Sequence, residues 1–360
     1  MRHDLSSIAQ SGSIATLGRG LRTDDPSAGR PAQRRACLAP GPSMIRYLAR
    51  RLLQMVFVLF GVSVAVFMML RLIPGDVVDV ILGAEGKASP ERLAELRKLF
   101  GLDRPLYAQY LTWFGNLLHG DLGRSIRTSR PILPDILTRL PVTFQLAILA
   151  MIVSLLVAIP LGVLSAVKPD TWLDSVVRIV GLLGLSIPSF WLATMLILLV
   201  SRFARGLLPT SGYVPLSKGI LGSYKSVLLP SLALAAPNTA ILMRMTRSSM
   251  LEILRQEYVV SARAKGLREG SVVFRHALRN ALIPVVTVAG VQVGYLLGGA
   301  IIIEQVFALP GVGTLILNGI AQRDYPVVQA GVLFVATSFV LANLIVDLCY
   351  GYLDPRIHYD

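Results

Sequence analysis

Residues able to do chemistry are sparse in this 360-residue chain. Its four histidines, His3, His119, His276 and His358, lie far apart. A zinc enzyme needs two or three such ligands at helical or short-loop spacing, as in HExxH, and no such grouping occurs. Cys37 and Cys349 offer neither metal spacing nor a disulfide framework. No GxxxxGK[ST] loop is present to cradle nucleotide phosphates. The sequence therefore predicts no catalytic residue, no metal site and no cofactor held by this chain. The ionisable residues of the apolar runs (Arg71, Asp174, Arg178, Arg244, Glu304 and Asp347) all fall near run ends. An ion-coupled carrier needs such groups at mid-membrane. Their scarcity argues that another protein supplies the driving energy.

The densest chemical signal is a basic, glycine-punctuated stretch, EYVVSARAKGLREGSVVFRHALRNALIP at 257–284, set between two apolar runs. Such a stretch cannot lie in lipid, so it is a loop of a many-pass membrane protein. Residues from Ser248 to Lys265 read as helical, Ala262 and Ala264 are small, and Gly266 ends or bends that helix. Ala281 opens the next apolar run, with Pro284 in its first turn. The pattern predicts a short helix across the cytoplasmic face, held at both ends by transmembrane helices. A push on it would move two spans together. Charge alone does not separate this lever from basic residues that merely hold a loop inside.

The elements that position this loop follow from composition. The chain is 54% hydrophobic and 16% charged, whereas soluble domains carry about 25% charged residues. Six apolar runs, 52–73, 141–167, 175–200, 226–245, 281–303 and 326–350, approach or exceed the roughly 20 residues that cross a bilayer as a helix. The expected fold class is all-α, a polytopic membrane bundle of six transmembrane helices. Arg46, Arg50 and Arg51 precede the first span, and the 246–280 loop is rich in Arg and Lys. The positive-inside rule places the N-terminus and that loop in the cytoplasm, and six spans return the C-terminus there. The same retention explains the net charge of +14 without nucleic acid, since no basic stripe is interleaved with aromatics.

Within the external loop 74–140, Pro90–Phe100 with Ser89 as N-cap reads as one helix. Tyr107–Leu118 reads as another, lying in the membrane interface or packed over the outer mouth, and its lack of a strongly basic face favours packing. Residues 1–43 read as a disordered tail, and Met44 reads as the true start. Gly290, Gly294 and Gly298 form a ladder on one face of the fifth span. Tight packing within the subunit and a seam against a partner both fit that ladder. Pro160, Pro188 and Pro230 can kink their helices.

ARAKGL at 262–267 followed by RHALRNALIPV at 275–285 resembles the EAA loop of bacterial ABC-importer permeases, in the branch that moves dipeptides, oligopeptides and nickel. MIRYLARRLLQ (44–54), GLDRPLYAQYLTW (101–113), GDLGRSI (120–126), SIPSFWLA (186–193), LPTSGY (208–213), EQVFALPGVGTLILNGIAQRDYPVVQA (304–330) and DPRIHY (354–359) extend the resemblance from Met44 to Asp360. Two departures stand out. The Glu-Ala-Ala triad reads Val260-Ser261-Ala262, and Gly266 lies farther from Pro284 than in the sugar-transporter form.

The resemblance implies a type I importer permease fold in a bacterial inner membrane. It implies a second, similar permease and two ATP-binding cassette subunits, separate or fused, that carry the ATP and Mg. It also implies an extracytoplasmic binding protein that delivers peptides, with nickel or another small solute as the alternative cargo. Finally, it implies that Ser261, Ala262, Arg263, Ala264, Lys265, Gly266 and Leu267 couple to the ATPase. Ala262, Ala264, Gly266 and Leu267 would do so by shape, Arg263 and Lys265 by charge.

Overall fold

The computed structural model describes residues 44–72, 98 and 103–353. The tail 1–43, the Pro90–Phe100 helix candidate and the DPRIHY motif lie outside these residues or almost entirely so. Ten helices are named here: α1 (Met44–Leu72), α2 (Leu106–Leu118), α3 (Ile132–Val167), α4 (Trp172–Ser186), α5 (Ser189–Phe203), α6 (Ile220–Leu254), α7 (Glu257–Ala264), α8 (Leu278–Val306), α9 (Val312–Ala321) and α10 (Tyr325–Leu353). Among the described residues there is no β-strand, only an isolated bridge between Arg124 and Pro131.

Among the described residues five helices are long and apolar enough to cross a membrane, and the bent pair of α4 and α5 makes a sixth span when counted as one. The chain is an all-α membrane bundle, as its composition predicts. Helices α3 and α6 are longer than their apolar runs, because polar turns at their ends keep helical geometry outside the hydrocarbon.

The third span departs from expectation. The run 175–200 is not one helix but α4 and α5, which meet at 105°. Proline disfavours the α region for the residue before it. Accordingly Ile187 is extended (φ −85°, ψ 121°), and so is Pro188 (φ −61°, ψ 136°). The chain turns a corner in an apolar stretch that hydropathy reads as continuous.

Helix α6 is the hub, packed against α3, α4, α5 and α8. Its buried Leu229, Ala233 and Leu234 meet Leu146 and Ala150 of α3, Ala193 of α5, and Leu296, Ala300 and Ile303 of α8. Lipid is as apolar as leucine, so burial alone gains little here and close backbone approach must hold the bundle. Gly162 provides that approach: a Cβ there would lie 2.6 Å from Thr246 Cβ and 2.9 Å from the Met243 carbonyl.

The glycine ladder resolves in two directions. A Cβ on Gly290 would lie 2.0 Å from Val346 Cγ1, and one on Gly294 would lie 2.5 Å from Phe339 Cε2, so both pack against α10. Gly298 has nothing within 4 Å and is exposed. Helix α2 packs against α1. Tyr110 stacks with Phe114 and crosses Phe60 and Phe67 edge-on, and its hydroxyl is 2.8 Å from Ser63 Oγ.

Candidate functional site

The expected helix from Ser248 to Lys265 is two helices. Arg255 closes α6, Gln256 is extended (φ −68°, ψ 144°), and α7 begins at Glu257. The break lets Val259 and Ala262 turn inward. With Val272 they form a small buried core against Ile253 and Leu254. Local propensity shows no such break, which tertiary burial imposes. Gly266 (φ +75°) then ends α7. The Gly266 N–H donates to Arg263 O at 2.9 Å and the Leu267 N–H to Ala262 O at 3.4 Å, the paired bonds of a left-handed helix cap.

Beyond the cap, Glu269–Ser271 starts a new helical turn, and Val272–Ala277 is π-helical before α8. Helix therefore begins well before Ala281, and Pro284 lies inside α8 rather than in its first turn. A hydrogen bond from Asn280 Nδ2 to Tyr258 Oη at 2.8 Å ties α7 to α8. The short helix is thus seated through its first turn, on α6 through Val259 and on α8 through Tyr258, and one turn on Ala262 packs with Val272.

Six of the seven residues expected to couple (Ser261, Arg263, Ala264, Lys265, Gly266 and Leu267) are exposed on this crosspiece. Ala262 is 7% exposed and faces inward, so its small size seats α7 instead of fitting a partner. Arg263 donates to Glu269 through Nη2 at 2.7 Å and Nε at 3.1 Å, so part of its charge is already matched within the chain. Sequence reasoning gave no coupling role to Tyr258, Val260 and Phe274, which are exposed in this loop, as is Leu267. Large apolar residues in an otherwise polar loop were the available signal.

A buried ion pair stands just above the crosspiece. Asp174 of α4 is fully buried and accepts from Arg247 of α6, from Nε to Oδ1 at 2.8 Å and from Nη2 to Oδ2 at 2.9 Å. Ser165 Oγ of α3 also donates to Oδ1, and the Asp170 N–H donates to Oδ2 at 3.1 Å. The pair fixes the α3–α4 turn to α6, seven residues before α6 ends.

Two carboxylates organise the opposite end of the bundle. Glu304, fully buried at the end of α8, accepts from Thr143 Oγ1 of α3 at 2.5 Å and from the Thr314 N–H of α9 at 3.0 Å. An anion suits a helix N-terminus, where free N–H groups and the dipole favour negative charge. Gly311 makes room, since a Cβ there would lie 2.1 Å from Glu304 Cδ. Asp324, also buried, accepts from Ser125 Oγ at 2.5 Å and from the Ile126 N–H at 3.2 Å. The GDLGRSI and QRDYP motifs are therefore two halves of one contact. Among the described residues no three His, Cys, Asp or Glu side chains group as a metal site would require.

Comparison with known proteins follows this architecture. Residues 158–359 match the family described as binding-protein-dependent transport system inner membrane component, and residues 44–147 match its N-terminal region. The chain is similar to the dipeptide transport system permease protein DppB of Alkalihalophilus pseudofirmus, at 43% identity over 335 residues, covering 88% of this chain and 100% of that one. It is 42% identical over 336 residues to the di/tripeptide transport system permease protein DppB of Pseudomonas aeruginosa. It is 40% identical over 338 residues to the dipeptide transport system permease protein DppB of Escherichia coli K12. Each of these two alignments covers 88% of this chain and 99% of the relative. The chain belongs to the family of binding-protein-dependent transport system inner membrane components.

Proposed function

We propose that this chain is the membrane-spanning permease subunit of an ATP-driven peptide importer, and that α7 is where a separate ATP-hydrolysing subunit pushes. The observation that carries the mechanism is the seating of α7. Its first turn packs on α6 through Val259 and is tied to α8 through Tyr258, and it presents an apolar and basic surface outward. Displacing such a crosspiece moves both spans. The Asp174–Arg247 pair passes the movement on to α3 and α4. ATP and Mg belong to the partner subunits, and a second permease completes the pathway. Positive charge around α7 supports a reading in which it lies, with both termini, on the cytoplasmic side of a bacterial inner membrane.

An ion-coupled carrier is the rival reading. It needs carboxylates free to bind a coupling ion. The buried Asp174 and Glu304 are each engaged by partners within this chain. Nickel or another small solute is the alternative cargo, and the peptide names carried by the relatives favour a peptide.

The test is uptake of a labelled dipeptide into proteoliposomes holding the assembled complex, with binding protein outside and ATP inside. Uptake is expected only with both present. Uptake driven by a proton or sodium gradient without ATP would contradict the proposal.

A further inference from the structure

Four arginines crowd one platform at the end of the bundle opposite α7. Arg124, Arg127 and Arg130 sit on the turn closed by the Arg124–Pro131 bridge. Arg323 sits on the turn between α9 and α10. All four are exposed. The two turns are clamped together although 199 residues separate Ser125 from Asp324. The buried Asp324 carboxylate holds the first turn by its Ser125 hydroxyl and Ile126 amide. Arg127 Nε returns a hydrogen bond to Gln322 O at 3.0 Å.

Three features indicate that the charge itself is wanted here. Arginine close to a span on the outer side works against membrane orientation, within roughly 15–20 residues of the span end. Arg124, Arg127 and Arg130 immediately precede α3, and Arg323 precedes α10. Among the described residues none of the four forms an ion pair.

The third feature is backbone strain. Arg323 has φ +55°. It closes α9 by donating to Ile320 O at 3.1 Å, while the Asp324 N–H donates to Gly319 O at 2.8 Å. Glycine is the residue usually found at this position, because a Cβ is disfavoured in the left-handed region. Arginine stands there in spite of that cost.

We propose that this arginine platform docks an acidic face of the extracytoplasmic peptide-binding protein, a proposal that rests on the import reading above. Complementary charge raises the rate of encounter and fixes register, which suits a partner that must land and leave in every cycle. Leu118, Leu137 and Ile320, which border the platform in sequence, are exposed, as the apolar anchors of a segment lying on lipid would be, so the experiment compares anionic with zwitterionic nanodiscs.

The experiment uses the assembled complex in nanodiscs and, as probe, the peptide-binding protein that most strongly stimulates its ATPase. Arg124→Gln, Arg130→Gln and Arg323→Gly are made singly and together, and Arg127 is spared because it holds the clamp. Each change is expected to weaken the probe's affinity about 2- to 5-fold, and the triple variant on the order of tenfold. The salt dependence becomes shallower, and basal ATPase and thermal stability stay at the wild-type level or above. Arg323→Gly is the decisive variant, because it relieves backbone strain while removing charge. Unchanged affinity and salt dependence in the triple variant overturn the proposal. So does a loss seen only in anionic nanodiscs and absent from zwitterionic ones, which assigns the platform to lipid. A wild-type complex that no binding protein stimulates would remove the import reading itself, and this proposal with it.

Discussion

Breaking the Asp174–Arg247 pair should cost far more than removing it whole. Asp174 is fully buried, while the Arg247 side chain is 22% exposed. Arg247→Met would leave a dry carboxylate with only Ser165, the Asp170 amide and Arg178 at 3.6 Å to offset it. An uncompensated buried charge of this kind costs about 3–5 kcal/mol, or roughly two to three and a half decades in the folding equilibrium. Asp174→Asn should cost less, about 1–3 kcal/mol, because the stranded guanidinium reaches solvent while the amide keeps some hydrogen bonds. The double change to Asn and Met leaves no stranded charge, so its loss should fall below the sum of the two by about 1.5 kcal/mol or more. Unfolding of the purified protein in mixed micelles, titrated with SDS and followed by circular dichroism, completes the cycle. Additive losses, or an Arg247→Met cost below about 1 kcal/mol, would refute the reasoning that the pair is a desolvated clamp.

Three further perturbations follow from the same geometry. Gly311→Ala places a methyl 2.1 Å from Glu304 Cδ; expelling the carboxylate from the α9 N-terminus should destabilise by about 2–4 kcal/mol, measured as lost thermal stability in detergent. Gly266 has open space around it but φ +75°, so Gly266→Asn should retain most transport while Gly266→Val, β-branched and disfavoured in the left-handed region, should uncouple ATP hydrolysis from uptake. Gly294→Leu should disrupt packing against Phe339 and lower the yield of folded protein, whereas Gly298→Leu, with nothing within 4 Å, should leave the isolated subunit folded and impair only assembly with its partner permease, as read by co-purification.

The bundle was legible because membrane spans are long apolar runs, and their existence depends on little else. The corner at Ile187–Pro188 was half legible. The proline was visible, but the apolar composition continues through it, and composition carries no angle. The break at Gln256 was not legible, because it buries Val259 against the end of α6 and against Val272, which lies 13 residues on. Asp174 and Arg247 lie 73 residues apart and Thr143 and Glu304 161 apart, partners that only the fold brings together. The spacing of Glu304 to Gly311 and Gly313 did carry a signal for a buried carboxylate beneath a helix start, which proximity to a span end concealed. In the crosspiece, Gly266 was readable from residue type alone, whereas the inward turn of Ala262 required the tertiary seat. The tension between packing and partner seam in the glycine ladder dissolved because its rungs differ: two meet α10 and one is open.

The most direct measurement of the central claim is cross-linking between α7 and the ATP-binding subunit in the assembled complex. Cysteine replaces Lys265 or Leu267, both exposed on the crosspiece, and a single cysteine is scanned along the ATPase surface that faces the membrane. The account predicts disulfide formation at a few adjacent ATPase positions, with a yield that changes when ATP is bound and with peptide uptake blocked once the link forms. Contact that is absent in every nucleotide state, or a completed link that leaves ATP-driven uptake at its full rate, would contradict it.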